Sequence, residues 1–369
     1  MITLDKILDF SGGEKFYRFG NSDGKCWIMP ARNMRTAMNL YQPSGSKGKM
    51  VKSLLPCLHR LPPVRKAIHA TTMHCRLNRE FYSALCDVFK TRDFEYAIFE
   101  GTPSASQKMI IQISRGKKLL GYCKITDEED IYRLFRNESD NLNWLKEKNI
   151  YGIPEVLFCG EYSKHFLFIQ TTKKNADSLI SHEIGTQHLE FLERIHKATV
   201  IELTFKESDF YLDIQYLKSI IDNINENEKT TIELGINYIE NFYKTGTKHP
   251  FSFFHGDFTP WNIYFEKNEL QAFDFEFSAR TFPPKMDLTH FFLQTLILER
   301  KLSAKEIYPQ LEQFKKKYCI SDIQIICYLI HILSFYFKLY KGNFNTNDNG
   351  YIIWSSLLKN QLKNETKLP

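Results

Sequence analysis

The chain has 369 residues, of which 43% are hydrophobic and 25% charged, and its formal net charge is +6. This is the composition of a soluble globular protein with room for two or three domains. Its eight cysteines include no C-x-x-C pair, which argues against a zinc site or a disulfide framework and favours a reducing, cytoplasmic setting. No secretory signal is visible at the N-terminus. The longest apolar run, residues 323–337, is too short and too polar to span a bilayer and predicts a buried helix.

The first 90 residues differ chemically from the rest of the chain. They carry 15 Lys and Arg against 6 Asp and Glu, and no acidic residue occurs between Asp23 and Glu80. A solvated basic face is the commoner explanation of such a stretch. The alternative is an anionic partner for residues 24–79, such as a nucleic acid or an anionic surface.

Local patterns predict mixed structure in this segment. Alternating apolar residues around a Gly-containing turn predict a β-hairpin over residues 14–30. Apolar periodicity predicts a helix over residues 50–61, ended by Pro62-Pro63, and a second helix over residues 79–90. We therefore expect residues 1–90 to form a basic α+β accessory domain.

Strands replace this pattern from residue 94 onward. They are predicted at 94–99, 109–113, 119–125, 155–159 and 166–170, with one helix over 128–147. The polar loop 101–106 is rich in small residues, which let a backbone approach phosphates closely. Gly101 and Ser104 are therefore candidate nucleotide contacts, although an ordinary hairpin loop has the same composition.

Helices dominate after residue 177, except around residues 251–277. Five strands with one helix, followed by a helical region, predict a two-lobed α+β architecture. We expect residues 91–172 to form the N-lobe, residues 173–369 to form the C-lobe, and a nucleotide to bind between them.

The most specific motif is the sequence H-x-D-x-x-x-x-N from His255 to Asn262, followed by Asp274 in an apolar strand. Phosphoryl transfer to a hydroxyl needs a carboxylate beside the attacking oxygen, and oxygen ligands for Mg²⁺. Asp257 is the candidate catalytic base, and Asn262 and Asp274 are the candidate metal ligands. His255 is predicted to support this loop structurally. Asp287, which heads an apolar helix, is either a second support for the loop or an N-cap.

Lys124 lies inside a mostly apolar strand, where an ammonium group needs an anionic partner. ATP phosphates are such a partner, and a helix Glu can hold the ammonium group in place. Glu138 on the following helix is the candidate for that role. A solvent-facing lysine and a surface glutamate are the alternative.

These residues resemble those of the aminoglycoside phosphotransferase and choline kinase-like family. The resemblance covers about residues 94–340 and rests on the His255–Asn262 motif, on Phe273-Asp274-Phe275-Glu276 and on Asp287-Leu288 with His290-Phe291. It implies a bilobal protein-kinase-like fold with a small antiparallel-sheet N-lobe and a helical C-lobe, to which residues 1–90 would add an extra α+β segment. It also implies an ATP- and Mg²⁺-dependent kinase in which Asp257 is the base, Asn262 and Asp274 bind the metal, and Lys124 with Glu138 anchors the phosphates.

The short span between Asp274 and Asp287 leaves too little chain for a peptide-binding activation segment, which favours a small-molecule acceptor over a protein. The C-terminal helices are rich in Lys and aromatic residues, whereas a polycationic aminoglycoside needs an acidic pocket. A sugar, an amino alcohol or a glycolipid headgroup is therefore favoured. The alternative function is a pseudokinase-like binding module whose basic N-terminal domain binds an anionic partner.

Overall fold

A computed structural model describes residues 2–43, 45–102, 107–175, 178–340 and 348–365. The chain forms two compact units. The first unit comprises residues 1–147, 151–180 and 264–276, and the second comprises residues 148–150, 181–263 and 277–369.

The first unit is built on an eight-stranded sheet in which every neighbouring pair of strands is antiparallel. Its strands are β1 (Leu8–Gly20), β2 (Cys26–Pro30), β3 (Thr71–Leu77), β4 (Glu95–Phe99), β5 (Met109–Arg115), β6 (Lys118–Thr126), β7 (Val156–Tyr162) and β8 (His165–Thr171). The order across the sheet is β3-β1-β2-β4-β5-β6-β8-β7.

In the part of this unit that the structure describes, the α-helices are α1 (Met34–Ala37), α2 (Ser46–Leu58), α3 (Pro62–Ala67), α4 (Arg79–Phe89) and α5 (Glu129–Glu147). The apolar face of the sheet packs with α4 in one core cluster that includes Phe16, Ile98, Ile125 and Leu85. A second cluster joins Trp27 and other residues of β1 and β2 to α1 and α2.

The N-terminal segment extends the sheet. The hairpin predicted over residues 14–30 is present, with Phe16 opposite Pro30. Strand β3 was not predicted, although the alternation of Met73, Cys75 and Leu77 is its signal. Because β2 pairs with β4, the boundary expected at residue 90 lies inside one continuous unit.

The first long helix of this segment differs from its predicted bounds. Helix α2 begins at Ser46 and ends at Leu58. Pro62 and Pro63 then occupy the first turn of α3, where a missing backbone N–H breaks no intrahelical hydrogen bond. These prolines therefore begin a helix rather than merely ending one.

The second unit is mainly helical. Its helices are α6 (Thr186–Thr199), α7 (Phe210–Ile220), α8 (Glu226–Phe242), α9 (Met286–Gln294), α10 (Ala304–Tyr318), α11 (Asp322–Leu339) and α12 (Asn349–Glu365), and a π-helical turn, Thr295–Glu299, continues α9. Its short sheet has the order β13-β10-β9, from β9 (Ile201–Thr204), β10 (Lys248–Phe254) and β13 (Ala279–Phe282). A further hairpin, β11 (Ile263–Glu266) and β12 (Glu269–Ala272), belongs to the first unit from residue 264 onward.

Helix α11 forms the centre of the second unit's core. In the described part of the chain it is the one helix that is long and apolar enough to cross a membrane, but 72% of it is buried within the protein. The buried helix predicted over residues 323–337 is thus confirmed. The α+β architecture, with an antiparallel sheet in one unit and helices in the other, is also confirmed.

Candidate active site

Lys124 is a buried cation in the middle of the eight-stranded sheet. It lies on β6 opposite Ile110 of β5 and Phe168 of β8. Its neighbours Cys123 and Ile125 point into the apolar core, so strand alternation places Lys124 on the other face. The ammonium nitrogen lies 2.5 Å from Glu138 Oε2 and 2.5 Å from Asp274 Oδ1.

Glu138 occupies a core position of α5. The buried residues Ile131, Phe135, Leu142 and Leu145 follow helical spacing, and Glu138 falls within this apolar stripe. The side chain is fully buried, and its second oxygen accepts a hydrogen bond from the backbone N–H of Phe275 at 3.2 Å. The predicted pairing of Lys124 with Glu138 is therefore present, and Glu138 also fixes the backbone next to Asp274.

Asp274 and Glu276 complete an acidic group around Lys124. Asp274 has a left-handed backbone with φ of 68°, a conformation that Asp tolerates better than most residues and that often occurs at functional sites. Glu276 lies 3.9 Å from the Lys124 ammonium and forms a closer ion pair with Lys108. With all groups ionised, the three carboxylates and two ammonium groups sum to one negative charge.

Burial and charge act in opposite directions on these groups. Burial alone would lower the pKa of Lys124, but the carboxylates of Asp274, Glu138 and Glu276 raise it above its ordinary value, so Lys124 is protonated. Burial raises the pKa of Glu138, and the nearby ammonium of Lys124 opposes this rise.

The loop that carries Asp257 is held by contacts within the second unit. Gly256 has φ of 85°, and a Cβ there would lie 2.3 Å from the carbonyl oxygen of Phe277. The Asp287 carboxylate accepts hydrogen bonds from the backbone N–H groups of His255, at 2.9 Å, and of Gly256, at 3.3 Å. Burial raises the pKa of Asp287 to about 7, and these hydrogen bonds oppose the rise. Asp287 thus bonds to the loop, and Lys285 rather than Asp287 precedes helix α9 as its N-cap.

The carboxylate of Asp257 accepts a hydrogen bond on each oxygen. Asn262 Nδ2 donates to Oδ2 at 2.7 Å, and His290 Nε2 lies 3.2 Å from Oδ1. His290 Nδ1 in turn lies 3.2 Å from the hydroxyl of Tyr328, which accepts a hydrogen bond from Gln294 Nε2 at 3.2 Å. All these contacts are satisfied together when a neutral His290 carries its proton on Nε2 and Tyr328 donates to Nδ1.

Of the two predicted phosphate-loop residues, Gly101 is described. It has φ of 94°, and a Cβ would lie 2.4 Å from the carbonyl oxygen of Lys108, so the turn requires glycine. Ser104 lies outside the described residues. Phosphate binding by this loop remains a prediction.

The acidic group has suitable chemistry for a divalent cation. One oxygen of each of Glu138, Asp274 and Glu276 lies within 4.8 Å of the others. Asp274 is the most exposed of the three, with 27% of its side chain accessible, whereas Glu138 and Glu276 are almost completely buried. Since Asn262 donates through its amide nitrogen, its side-chain oxygen is the atom suited to a cation. Asp274 and Asn262 therefore fit the ligand types that Mg²⁺ prefers.

Sequence reasoning missed four residues in these two groups: Lys108, Glu276 as a partner of Lys124, His290 as a contact of Asp257, and Tyr328. Glu276 and His290 stood within the motifs that carried the family resemblance. Lys108 and Tyr328 had no local signal, because each contacts residues far away in the sequence.

The second unit also contains a cavity of about 280 Å³, lined in part by Phe292 and Leu296. Its lining also includes Phe291, which follows His290 on α9.

Structural comparison identifies the fold. The chain is similar to a thermostable mutant of aminoglycoside phosphotransferase APH(4)-Ia in ternary complex with AMP-PNP and hygromycin B, with a TM-score of 0.53 and 9% identity over 79% of this chain and 100% of that chain. The complex of that enzyme with ADP and hygromycin B gives a TM-score of 0.52 and 10% identity over 78% and 99%. The apo form of that enzyme gives a TM-score of 0.51 and 10% identity over 78% of this chain and 100% of that chain. No protein-family model matches the sequence, and no curated protein matches it either.

The fold belongs to the protein-kinase-like class, with a sheet-based unit and a helical unit. More narrowly, the chain has the fold of the aminoglycoside phosphotransferases. The resemblance predicted from the sequence motifs is confirmed at the level of the fold.

Proposed function

We propose that this protein is an ATP- and Mg²⁺-dependent kinase that transfers the γ-phosphate to a hydroxyl group of a small acceptor. The observation that carries the proposal is the buried Lys124 ammonium held by Glu138 and Asp274. An ammonium fixed in this way is a ready partner for phosphate oxygens. The fold adds support, since it is shared with a phosphotransferase that was solved with AMP-PNP and with ADP.

Each predicted residue then has a defined task. Lys124 would bind phosphate oxygens while Glu138 prevents the ammonium from moving. Asp274 and Asn262 would hold Mg²⁺, which when bound neutralises charge on the phosphates. Asp257 would accept a hydrogen bond from the acceptor hydroxyl and take its proton as the phosphoryl group moves.

The two donors on Asp257 fit the role of orienting an acceptor. Hydrogen bonds to both oxygens fix the plane of the carboxylate, as the orientation of an acceptor hydroxyl requires. Phosphoryl transfer depends mainly on positioning, so a carboxylate held in a fixed orientation is sufficient.

We further propose that the acceptor is not a polycation such as an aminoglycoside, but a sugar, an amino alcohol or a glycolipid headgroup. The support is the Lys- and aromatic-rich composition of the C-terminal helices, because a polycationic aminoglycoside would need an acidic pocket. A cytoplasmic location is also proposed, since all eight cysteines are free thiols.

The test is a Mg²⁺-dependent phosphate-transfer screen over sugars, amino alcohols and aminoglycosides. Asp257→Asn keeps the size of the side chain and is expected to abolish transfer while ATP binding persists. Asp222→Asn, at a side chain that is 86% exposed, is the matched control and should transfer at the wild-type rate. Transfer that survives in Asp257→Asn would refute the mechanism. Binding of ATP without transfer to any acceptor would favour the alternative, a pseudokinase-like binding module.

A further inference from the structure

Helix α2 carries a row of apolar side chains that are exposed to solvent. Met50 and Leu54 are 58% and 47% exposed, and Cys57 is exposed as well. These positions follow one another at intervals of four and three residues, which places them along one face of the helix. Leu61, just beyond the end of α2, is 51% exposed. Exposed apolar side chains that stand together, rather than singly, mark a surface that binds another component.

The other side of α2 is fixed to the sheet of the first unit. Leu55 is 3% exposed and belongs to the same core cluster as Trp27 of β2. His59, directly after the helix, is buried, and its ring centroid lies 5.8 Å from that of Tyr17 on β1. The exposed row is therefore a feature of a helix that is packed in place on the folded unit.

Cations accompany the exposed row. Residues 46–67, which comprise α2, α3 and the turn between them, have no Asp or Glu but six Lys and Arg: Lys47, Lys49, Lys52, Arg60, Arg65 and Lys66. Other cations of the first 90 residues pair with carboxylates, since Arg32 lies 3.8 Å from Glu95 and Arg76 lies 2.8 Å from Asp9. Among the described residues, no carboxylate forms an ion pair with any of the six. Their charge is therefore available to an external anion.

We propose that residues 46–67 form a docking surface for an anionic lipid bilayer. A helix with an apolar row and a Lys- and Arg-rich polar face lies in the membrane interface, with its apolar side chains at the acyl chains and its cations at the headgroups. Groups of four to eight Lys and Arg on such a helix bind acidic lipids. The six cations and the exposed row of α2 meet both conditions.

The exposed row favours a bilayer over a nucleic acid as the anionic partner. Nucleic acids bind through their phosphates to Lys and Arg, and single strands also stack their bases on aromatic rings. The row consists of Met50, Leu54 and Cys57 and contains no aromatic residue, whereas acyl chains accommodate aliphatic side chains. This surface goes beyond the proposed transfer reaction and does not depend on it, because the Lys124 and Asp257 groups include no residue of the segment.

The experiment measures sedimentation of the full chain with vesicles of phosphatidylcholine alone, and of phosphatidylcholine with phosphatidylserine at a ratio of about 7:3. Wild type should bind the anionic vesicles only, and binding should weaken as salt rises from about 0.05 to 0.5 M. Each Lys or Arg near such a surface contributes roughly a fivefold change in binding, so Lys47→Gln/Lys49→Gln should bind about 10–30-fold more weakly. The matched control Lys305→Gln/Lys316→Gln removes the same charge from exposed positions of α10 and should bind like wild type.

A second pair of substitutions tests the exposed row without changing the charge. Met50→Ser/Leu54→Ser should bind anionic vesicles at least about tenfold more weakly, because it removes the side chains that would enter the acyl region. The control Leu212→Ser/Leu234→Ser removes two leucines of the second unit that are 57% and 51% exposed, and it should bind like wild type. Melting temperatures close to that of wild type show that each variant is folded.

The proposal is overturned if wild type does not sediment with the anionic vesicles, or if Met50→Ser/Leu54→Ser binds them as tightly as wild type. Binding of an oligonucleotide that is equal in wild type and in that variant, without vesicle binding, would instead assign the cations to a nucleic acid. Asp257→Asn should sediment like wild type, so that loss of phosphate transfer and loss of membrane docking are observed separately.

Discussion

Replacing Lys124 by methionine tests the central ion pair of the first unit. The substitution keeps most of the side-chain volume but changes the charge of the five-group cluster from −1 to −2. Glu138 then remains fully buried without its cation, while Glu276 keeps Lys108 and Asp274 is partly exposed. Removing one partner of a buried pair typically costs about 3–5 kcal/mol, and we expect a loss in this range at pH 7.5.

The loss should depend on pH through Glu138. Burial already raises the pKa of this carboxyl, and loss of Lys124 removes the group that opposes the rise. Because the pKa of Glu138 is higher in the folded protein than its value of 4.5 in the unfolded chain, protonation of Glu138 stabilises the folded state fully below pH 4.5. This stabilisation is lost as pH rises through the pKa of Glu138 in the folded protein. The deficit of Lys124→Met should therefore grow between pH 5 and pH 8, by at most about 1.4 kcal/mol per pH unit for this one group.

A second substitution separates the charge effect from simple loss of packing. In Lys124→Met/Glu138→Gln, the buried carboxylate becomes a neutral amide of the same shape. We expect this double variant to recover most of the lost stability, to within about 1–2 kcal/mol of wild type, and to lose the pH dependence. Lys118→Met, at an exposed position of the same strand, is the matched control and should change stability by less than about 0.5 kcal/mol.

Urea unfolding, followed by far-UV circular dichroism and tryptophan fluorescence at pH 5, 6, 7 and 8, gives these free energies. The reasoning would be refuted if Lys124→Met cost less than about 1 kcal/mol at pH 8. It would fail equally if the double variant were no more stable than the single one, since the uncompensated Glu138 charge would then not be the cause.

Three other changes test separate parts of the molecule. His290→Leu removes a donor to the Asp257 carboxylate. A lost hydrogen bond of about 1.5 kcal/mol should lower kcat about tenfold and leave the KM for ATP unchanged, and His290→Gln should recover part of the rate. Gly256→Ala places a Cβ 2.3 Å from the Phe277 carbonyl oxygen and should destabilise the protein by more than about 2 kcal/mol in urea unfolding, and an unchanged transition would contradict the turn geometry. Burial lowers the pKa of Lys174 from 10.5 to about 7. Between pH 7 and pH 10.5, wild type should therefore gain stability relative to Lys174→Met as pH rises, by up to about 5 kcal/mol, and parallel pH profiles of the two proteins would contradict this.

Local spacing accounts for the parts of the site that the sequence predicted. Asp257 and Asn262 are five residues apart on one loop, so their contact follows from chain connectivity. Glu138 was identifiable because it is a charged residue at helical spacing from the apolar residues of α5. Lys124 was conspicuous as a cation in an apolar strand.

Contacts between distant residues could not be predicted in the same way. Lys108 and Glu276 are separated by 168 positions, and nothing near Lys108 indicates its partner. Tyr328 lies in an apolar helix whose composition explains its burial without a polar role. The register of β2 on β4 likewise depends on a pairing across the expected domain boundary, which single-sequence periodicity does not report.

The continuous sheet has a practical consequence for dissecting this protein. Strand β2 covers one edge of β4, with Trp27 stacked on Phe99 at a centroid distance of 5.2 Å. A fragment starting at residue 91 would leave the backbone donors and acceptors of that edge unpaired beside newly bared aromatic surface. Such edges recruit strands from other molecules. Shortened versions should therefore aggregate, and a soluble minimal kinase would have to retain the N-terminal strands or cap the edge of β4 with charged residues.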